Sequence, residues 1–363
     1  MKKNRFNFKI YFSIIFIIIV FIVGCINNSN NTLDKNSDYL DIYVSDVYRD
    51  AEAIVTIISD DGNWETAKNL NIIFGKYDLK CTSAGVVEIV DPYLDSWKTL
   101  LKKGTIDLVN HSYSHIRMDD GNIIATDYDA LTHEIVDSDK WFEETFGYEQ
   151  IVFVCPENQM CQMGYEILNY NNFYAVRRGD RGFNTLSPID GIESGNWFNL
   201  KVQGICDDGV DISVRNDWVN TAINDKVWLI EMWHNVMPEY DGLYQTILLS
   251  DAEEHIAYIS EKSQDNKIWV ATFDEAVKYI REKQNISIYA YIENNELHVF
   301  SDLNDDKMSY TTFNQPLTIH IYEPKNVDYE SNNYSVFNNG EIVLDIIPGE
   351  KYTIQLTGDE FNE

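Results

Sequence analysis

Ala53-Ile54-Val55-Thr56-Ile57-Ile58-Ser59-Asp60-Asp61-Gly62 opens as an apolar run with no polar alternation and ends in two carboxylates and a glycine. Such a run fits a strand buried on both faces, as in a parallel sheet. Working outward, the same unit recurs. Strands are predicted over 106–109, 151–154 (ended by Pro156), 173–176, 227–233 and 268–271. Helices are predicted over 65–77, 95–103, 129–146, 165–170 and 251–262, with Gly104 and Gly147 as stops. Thr272-Phe273-Asp274-Glu275 has the form of a capping box and opens a last helix to Lys283. Strand and helix in alternation imply a parallel sheet, open or closed into a barrel. Beyond Asn285 the period drops to two, over 286–292, 297–300, 317–322, 342–347 and 352–356, with Asn294-Asn295 as a turn. This reads as a small all-β, sandwich-like unit.

Three polar clusters lie at the C-terminal ends of predicted strands, the end where barrels of parallel strands build their sites. Asp60 and Asp61 are adjacent carboxylates that repel unless a cation sits beside them; a divalent metal would take one and leave the other as a base. His111 and His115, in His111-Ser112-Tyr113-Ser114-His115, are spaced i, i+4, so one helical turn would turn both rings to the same side. His234 ends the apolar run from Val227 to Trp233 and is a candidate acid. Two carboxylates and two imidazoles suffice for a zinc site with an open position and a base beside it. Trp64, Tyr113 and Trp233 flank these groups and are candidate substrate contacts.

The flanks bear on location. Lys2, Lys3, Arg5 and Lys9 precede an almost unbroken apolar run over 11–23 that is short for a membrane span, and Ile22-Val23-Gly24-Cys25 resembles a lipoprotein processing box. The expectation is a signal peptide over 1–25, a lipid on the Cys25 thiol, and a flexible tether and lead-in over 26–50 rich in Asn and Ser. The formal net charge of −31 excludes nucleic acid as a partner, because phosphate would be repelled. Cys81, Cys155, Cys161 and Cys206 permit disulfides in an exported protein, with no pairing selected; no Cys-x-x-Cys is present, which argues against a thiolate zinc site.

These segments together resemble the polysaccharide deacetylases of carbohydrate esterase family 4, which share the nodulation-factor deacetylase homology domain. The first family motif, Thr-Phe-Asp-Asp-Gly, appears as Ile58-Ser59-Asp60-Asp61-Gly62; the second, His-Ser/Thr-x-x-His, is matched fully by residues 111–115; the fifth, an apolar strand ending in His, by residues 229–234. The resemblance implies Asp60 as base, Asp61, His111 and His115 as ligands of Zn2+ or another divalent metal such as Co2+, and His234 as the acid. Asp217-Trp218 resembles the end of the fourth motif, which would make Asp217 the group that orients His234. The third motif departs. Phe153-Val154-Cys155-Pro156-Glu157 keeps the Pro but lacks the Arg that holds the catalytic Asp, and Arg177, Arg178 or Arg181 could replace it in space. The backbone N–H of Glu157 would face the oxyanion.

The expected architecture is a distorted (β/α) barrel of the polysaccharide deacetylase type over 51–284, followed by the β unit over 285–363. The expected function is metal-dependent removal of acetyl groups from N- or O-acetylated polysaccharide or oligosaccharide outside the cell, by a protein lipid-anchored to the membrane. Two other readings are open: a non-catalytic glycan-binding lipoprotein using the same cleft, and a hydrolase of another non-peptide carbon–nitrogen bond.

Overall fold

Main-chain pairing defines the architecture. The computed structural model describes residues 39–119, 121, 123–204, 210–240, 242–322, 335–337 and 341–356; the expected signal peptide with Cys25, the first part of the expected tether and Cys206 lie outside them. β1 (Asp41–Val44) is followed by β2 (Ala53–Ser59), β3 (Cys81–Gly85), β4 (Ile106–Asn110), β5 (Val152–Val154), β6 (Ala175–Arg181), β7 (Leu200–Val202) and β8 (Trp228–Trp233). From β2 to β7 each strand pairs with the next in parallel. β8 returns to lie parallel to β2. Just past β7, Gln203 donates to the Ile230 carbonyl at 2.8 Å and accepts from the Met232 N–H at 2.9 Å. The ring of parallel strands is thereby closed. β9 (Asn235–Met237) and β10 (Thr246–Leu248) form a separate parallel pair, and β11 (Ile268–Val270) lies beside the first residues of β2.

β2 is buried along its whole length, as its composition predicts, and serves two cores. Ile54 and Ile58 join Val109, Phe153, Val176 and Ile230 in one cluster. Val55 and Ile57 join Leu70, Ile73 and Phe74 of the helix Trp64–Lys76 in the other. β3 carries no sequence signal because Cys-Thr-Ser-Ala-Gly has no large apolar residue. Small side chains are what fit there: a Cβ on Gly85 would come within 2.8 Å of Val90 and 2.9 Å of Leu108. The helix predicted over 129–146 is broken by a π-helical turn, His133–Asp137, between Tyr128–Thr132 and Ser138–Phe146. The capping box at Thr272 and Glu275 is formed, with both reciprocal bonds. Cys81, Cys155 and Cys161 are buried free thiols, so Cys155 and Cys161 are not bonded to each other. Among the described residues no helix is long and apolar enough to cross a membrane.

Helix Phe273–Asn285 runs straight into β12 (Ile286–Glu293), without a linker. β12 pairs with β13 (Glu296–Leu303). β14 (Leu317–Tyr322), β15 (Ser335–Phe337), β16 (Glu341–Ile346) and β17 (Tyr352–Gln355) complete two antiparallel sheets, β1-β14-β16-β15 and β12-β13-β17. Ala290, Leu297 and Val299 from one sheet meet Leu317, Ile319 and Leu344 from the other in a single cluster. β1 corrects the expected boundary. It precedes the barrel in sequence yet pairs with β14 over Asp41–Val44, because Ile42 and Val44 alternate with outward residues and pack on the β unit. The lead-in is therefore not tether throughout.

His320 of β14 contributes a pH-dependent clamp to this unit. Its Nδ1 lies 2.7 Å from Glu341 Oε1 and its Nε2 2.7 Å from Asp50 Oδ1. Burial disfavours the charged ring, but the hydrogen bonds and charges of the two carboxylates outweigh it and raise the pKa. A raised folded-state pKa gives stability that is complete below the unfolded value near 6.5 and is lost as pH rises through the folded one. His320→Gln is expected to cost roughly 1 kcal/mol at pH 5.5, and the gap to wild type to narrow at alkaline pH, read from urea unfolding at both. A pH-independent gap would reject the clamp.

Candidate active site

Two strand ends are tied together at the rim of the barrel. The Asp60 N–H donates to the Trp233 carbonyl at 2.8 Å, and Ser59 Oγ donates to the His234 carbonyl at 2.9 Å. This brings the carboxylates after β2 beside the histidine after β8.

Asp61, His111 and His115 converge. One ligand-type atom from each lies within 4.8 Å of the others. His111 Nε2 is 3.7 Å and His115 Nε2 3.4 Å from Asp61 Oδ1, and the two rings are 4.9 Å apart at 69°. The route to this geometry is not the helical turn that the i, i+4 spacing predicts. Residues 111–115 form a loop in which Ser112 and His115 have positive φ (75° and 63°), as does Asp61 (74°). Non-glycine residues in that region carry strain, and such positions gather at functional sites.

Buried polar groups hold the loop in place. Asn110 Oδ1 accepts from the Ser112 N–H at 2.8 Å, and the Asn110 side-chain amide donates to Ser138 at 2.9 Å. Glu134, buried in the π-helical turn, accepts from both the N–H (2.9 Å) and the hydroxyl of Ser114. A π-turn here places a carboxylate against the loop, a frequent association with functional sites.

The donor set suits a divalent cation. His111 Nδ1 donates to the Val154 carbonyl at 2.8 Å, so Nε2 is the nitrogen turned toward Asp61 and available to a metal, buried and without a hydrogen-bond partner. Burial works against ionisation of Asp61, but the His111 ring and the charges of His111, His234 and His115 overcome it and hold the carboxyl at about 2. Burial and the neighbouring His111 lower the pKa of His115, against the pull of Asp61, Asp60 and Glu157. Ionised carboxylate and imidazole lone pairs are the donors that bind metal.

Asp60 is buried beside this set. Its Oδ2 is paired with Arg177 of β6, which has no exposed surface, while its Oδ1 is buried without a partner. Arg177 also donates to Asn158 Oδ1 at 2.6 Å. One carboxylate oxygen is thus anchored and the other left free. Of the three arginines named from the sequence, Arg177 is the one paired with Asp60. The signal was faint because the strand predicted over 173–176 continues through charged residues to Arg181.

The other named residues fall as follows. Pro156, Glu157 and Asn158 make a tight turn after β5, with positive φ at Glu157 (51°) and Asn158 (60°). His234 stands edge-on to Tyr244 at 5.0 Å, and its Nδ1 is buried without a hydrogen-bond partner. Asp217 therefore does not orient it. Asp217 is exposed on the helix Ile212–Asp225, whose inward residues are Arg215, Val219 and Ala222. Arg215, Trp233 and His255 donate instead to Glu231, a fully buried carboxylate of β8. Glu231 gave no sequence signal beyond being a lone acid in an apolar strand. Trp233 is core, 1% exposed, with its indole N–H spent on Glu231, so the expected substrate contact is corrected. Trp64 and Tyr113 are half-buried: Trp64 stacks on Tyr93, and Tyr113 lies 4.2 Å from the His133 ring. A cavity of about 430 Å³ borders His234, lined also by Arg215, Tyr240 and Asp251 among others.

Residues 48–172 match a family model described as polysaccharide deacetylase, a span that holds Asp60, Asp61, His111 and His115 but not His234. A search of curated proteins found no match. Among solved structures, a provisionally named polysaccharide deacetylase from Mycobacterium smegmatis aligns with a TM-score of 0.51 at 14% identity, over 68% of this chain and 96% of that one. A family 4 acetyl xylan esterase from Clostridium thermocellum, in complex with a cobalt ion, aligns at 0.41 and 17% identity, over 61% and 89%. A family 4 pseudoenzyme from Bacillus anthracis aligns at 0.40 and 16% identity, over 62% and 65%. At 14% identity the likeness to the first of these speaks to fold alone. With the family match, the polysaccharide deacetylase resemblance read from the motifs holds, and the parallel α/β core is the fold of that group.

Proposed function

We propose that this protein is an extracytoplasmic, lipid-anchored, divalent-metal-dependent hydrolase that removes acetyl groups from N- or O-acetylated polysaccharide or oligosaccharide. The observation that carries the reading is the pairing of a preformed ligand set, Asp61, His111 and His115, with a buried carboxylate, Asp60, that has one oxygen anchored and one free. The Gly24-Cys25 processing box supports the anchor and the location.

A divalent ion such as Zn2+ or Co2+ on that set supplies Lewis acidity toward a carbonyl oxygen and makes water a better nucleophile near neutral pH. Asp60 accepts the proton of the attacking water through its free Oδ1, while Arg177 keeps the carboxylate fixed in place. The N–H of Glu157 donates to the oxyanion of the tetrahedral intermediate. His234 delivers a proton to the departing nitrogen or oxygen as the bond to the acetyl carbon breaks, giving acetate and a free amine or hydroxyl. A non-catalytic binder has no use for a base and an acid. The sequence feature that favoured such a binder, the absent third-motif Arg, is met by Arg177.

The test is acetate release from acetylated chito-oligosaccharides and acetylated xylan, with chelator and after metal is restored. Release that stops on chelation and returns with Zn2+ is the expected result; none from either substrate would turn the reading toward the glycan binder. His111→Ala is expected to lose stoichiometric metal in elemental analysis, and a wild type that takes up no divalent ion would sink the site itself.

A further inference from the structure

The outward face of the β12-β13-β17 sheet is aromatic and acidic. Alternation sends Ala290, Leu297 and Val299 into the core, and so sends Tyr289, Tyr291, His298 and Phe300 to the other side. Register sets them directly opposite in pairs. Tyr289 stacks on Phe300 at 5.0 Å and 20°, and Tyr291 on His298 at 4.8 Å and 19°. Tyr39, ahead of β1 and 44% exposed, extends the row, 5.6 Å from Tyr289 and 6.3 Å from Tyr291. Cross-strand pairs stabilise a sheet, and that alone would account for two aromatic couples. It does not account for the charge around them. The same face carries Glu293, Glu296 and Asp302, and no Lys or Arg occupies an outward position on these three strands. Half-exposed rings with three carboxylates and no strand Lys or Arg among them, Glu296 lying 3.7 Å from His298 Nε2 and the exposed Lys351 standing just before β17, are complementary to a ligand with apolar C–H faces and positive charge.

We propose that this face binds a saccharide chain carrying free ammonium groups. Sugar rings lie on Tyr39, Tyr289 and Tyr291, and ammonium groups pair with Glu293 and Glu296 or sit over the rings. That such a chain is the deacetylated product rests on the function proposed above; the binding chemistry rests on the sheet itself. A neutral glycan gains the stacking but not the charge, and a polyanion is repelled.

The test is calorimetric titration of the wild-type protein with a glucosamine tetramer and with cellotetraose, the same backbone bearing hydroxyls for amines. Neither carries acetyl groups, so no turnover intervenes. The expected result is tetraglucosamine binding that weakens with salt, roughly tenfold weaker binding of cellotetraose, and a loss of about tenfold in Tyr291→Ala. Glu293→Gln/Glu296→Gln removes charge without changing packing, and is expected to lose the preference for amines at an unchanged thermal midpoint. Equal binding of both tetramers, or tetraglucosamine binding that both variants leave intact, overturns the proposal. Acetate release by the wild type is scored separately, so a failed deacetylase and a failed binding face are told apart.

Discussion

Arg177→Met is expected to be the most damaging single substitution near the site. It removes the cation that faces Asp60 and leaves a carboxylate, 4% exposed, with no partner on either oxygen. Breaking a buried pair from one side typically costs roughly 3–5 kcal/mol, because the remaining charge keeps its desolvation penalty. Denaturant unfolding should register that loss. If the variant does not fold, Arg177→Lys is the milder probe. It keeps the charge but cannot donate in fixed geometry to both Asp60 and Asn158, so turnover should fall while the protein stays folded and metal content stays stoichiometric. Full activity in Arg177→Lys would show that Asp60 needs only a nearby cation. Wild-type stability in Arg177→Met would show that the pair does not hold the carboxylate at all.

Asp60→Asn is expected to lower kcat on acetylated oligosaccharide by roughly 10²–10⁴-fold, the usual contribution of a general base. The amide keeps the size of the side chain and can still accept from Arg177, but it cannot take a proton from water. Because Asp61, His111 and His115 are untouched, metal should remain bound at wild-type stoichiometry. This separates the base from the ligands: His111→Ala loses both metal and turnover, whereas Asp60→Asn loses turnover alone. Wild-type kcat in Asp60→Asn would reassign the base, and loss of metal in that variant would move Asp60 into the ligand set.

Much of the barrel was legible because its strands are apolar runs rich in Val and Ile and its helices carry stops and caps. β2, β4, β5, β8 and β11 appear close to where their composition puts them. β3 was not legible, since a strand that packs against Gly62, Val90 and Leu108 needs small side chains and so loses the apolar signature. β1 was not, because a four-residue strand pairing with β14 across more than 270 residues of sequence has no local mark. Trp233 and Asp217 were misplaced for a related reason: which side of an element faces the rim is set by packing, and periodicity alone did not resolve it.

What the amino-acid order determined by itself is the chemistry on offer: which strands end in carboxylates, which in imidazoles, and in what succession. These are local properties, written in runs of a few residues. Tertiary structure alone decided which cation faces Asp60. Closing the ring of strands sets the third residue of β6 against the end of β2, 117 positions earlier in the chain. A charge buried across that distance finds its partner through barrel geometry, and no spacing along the chain records it.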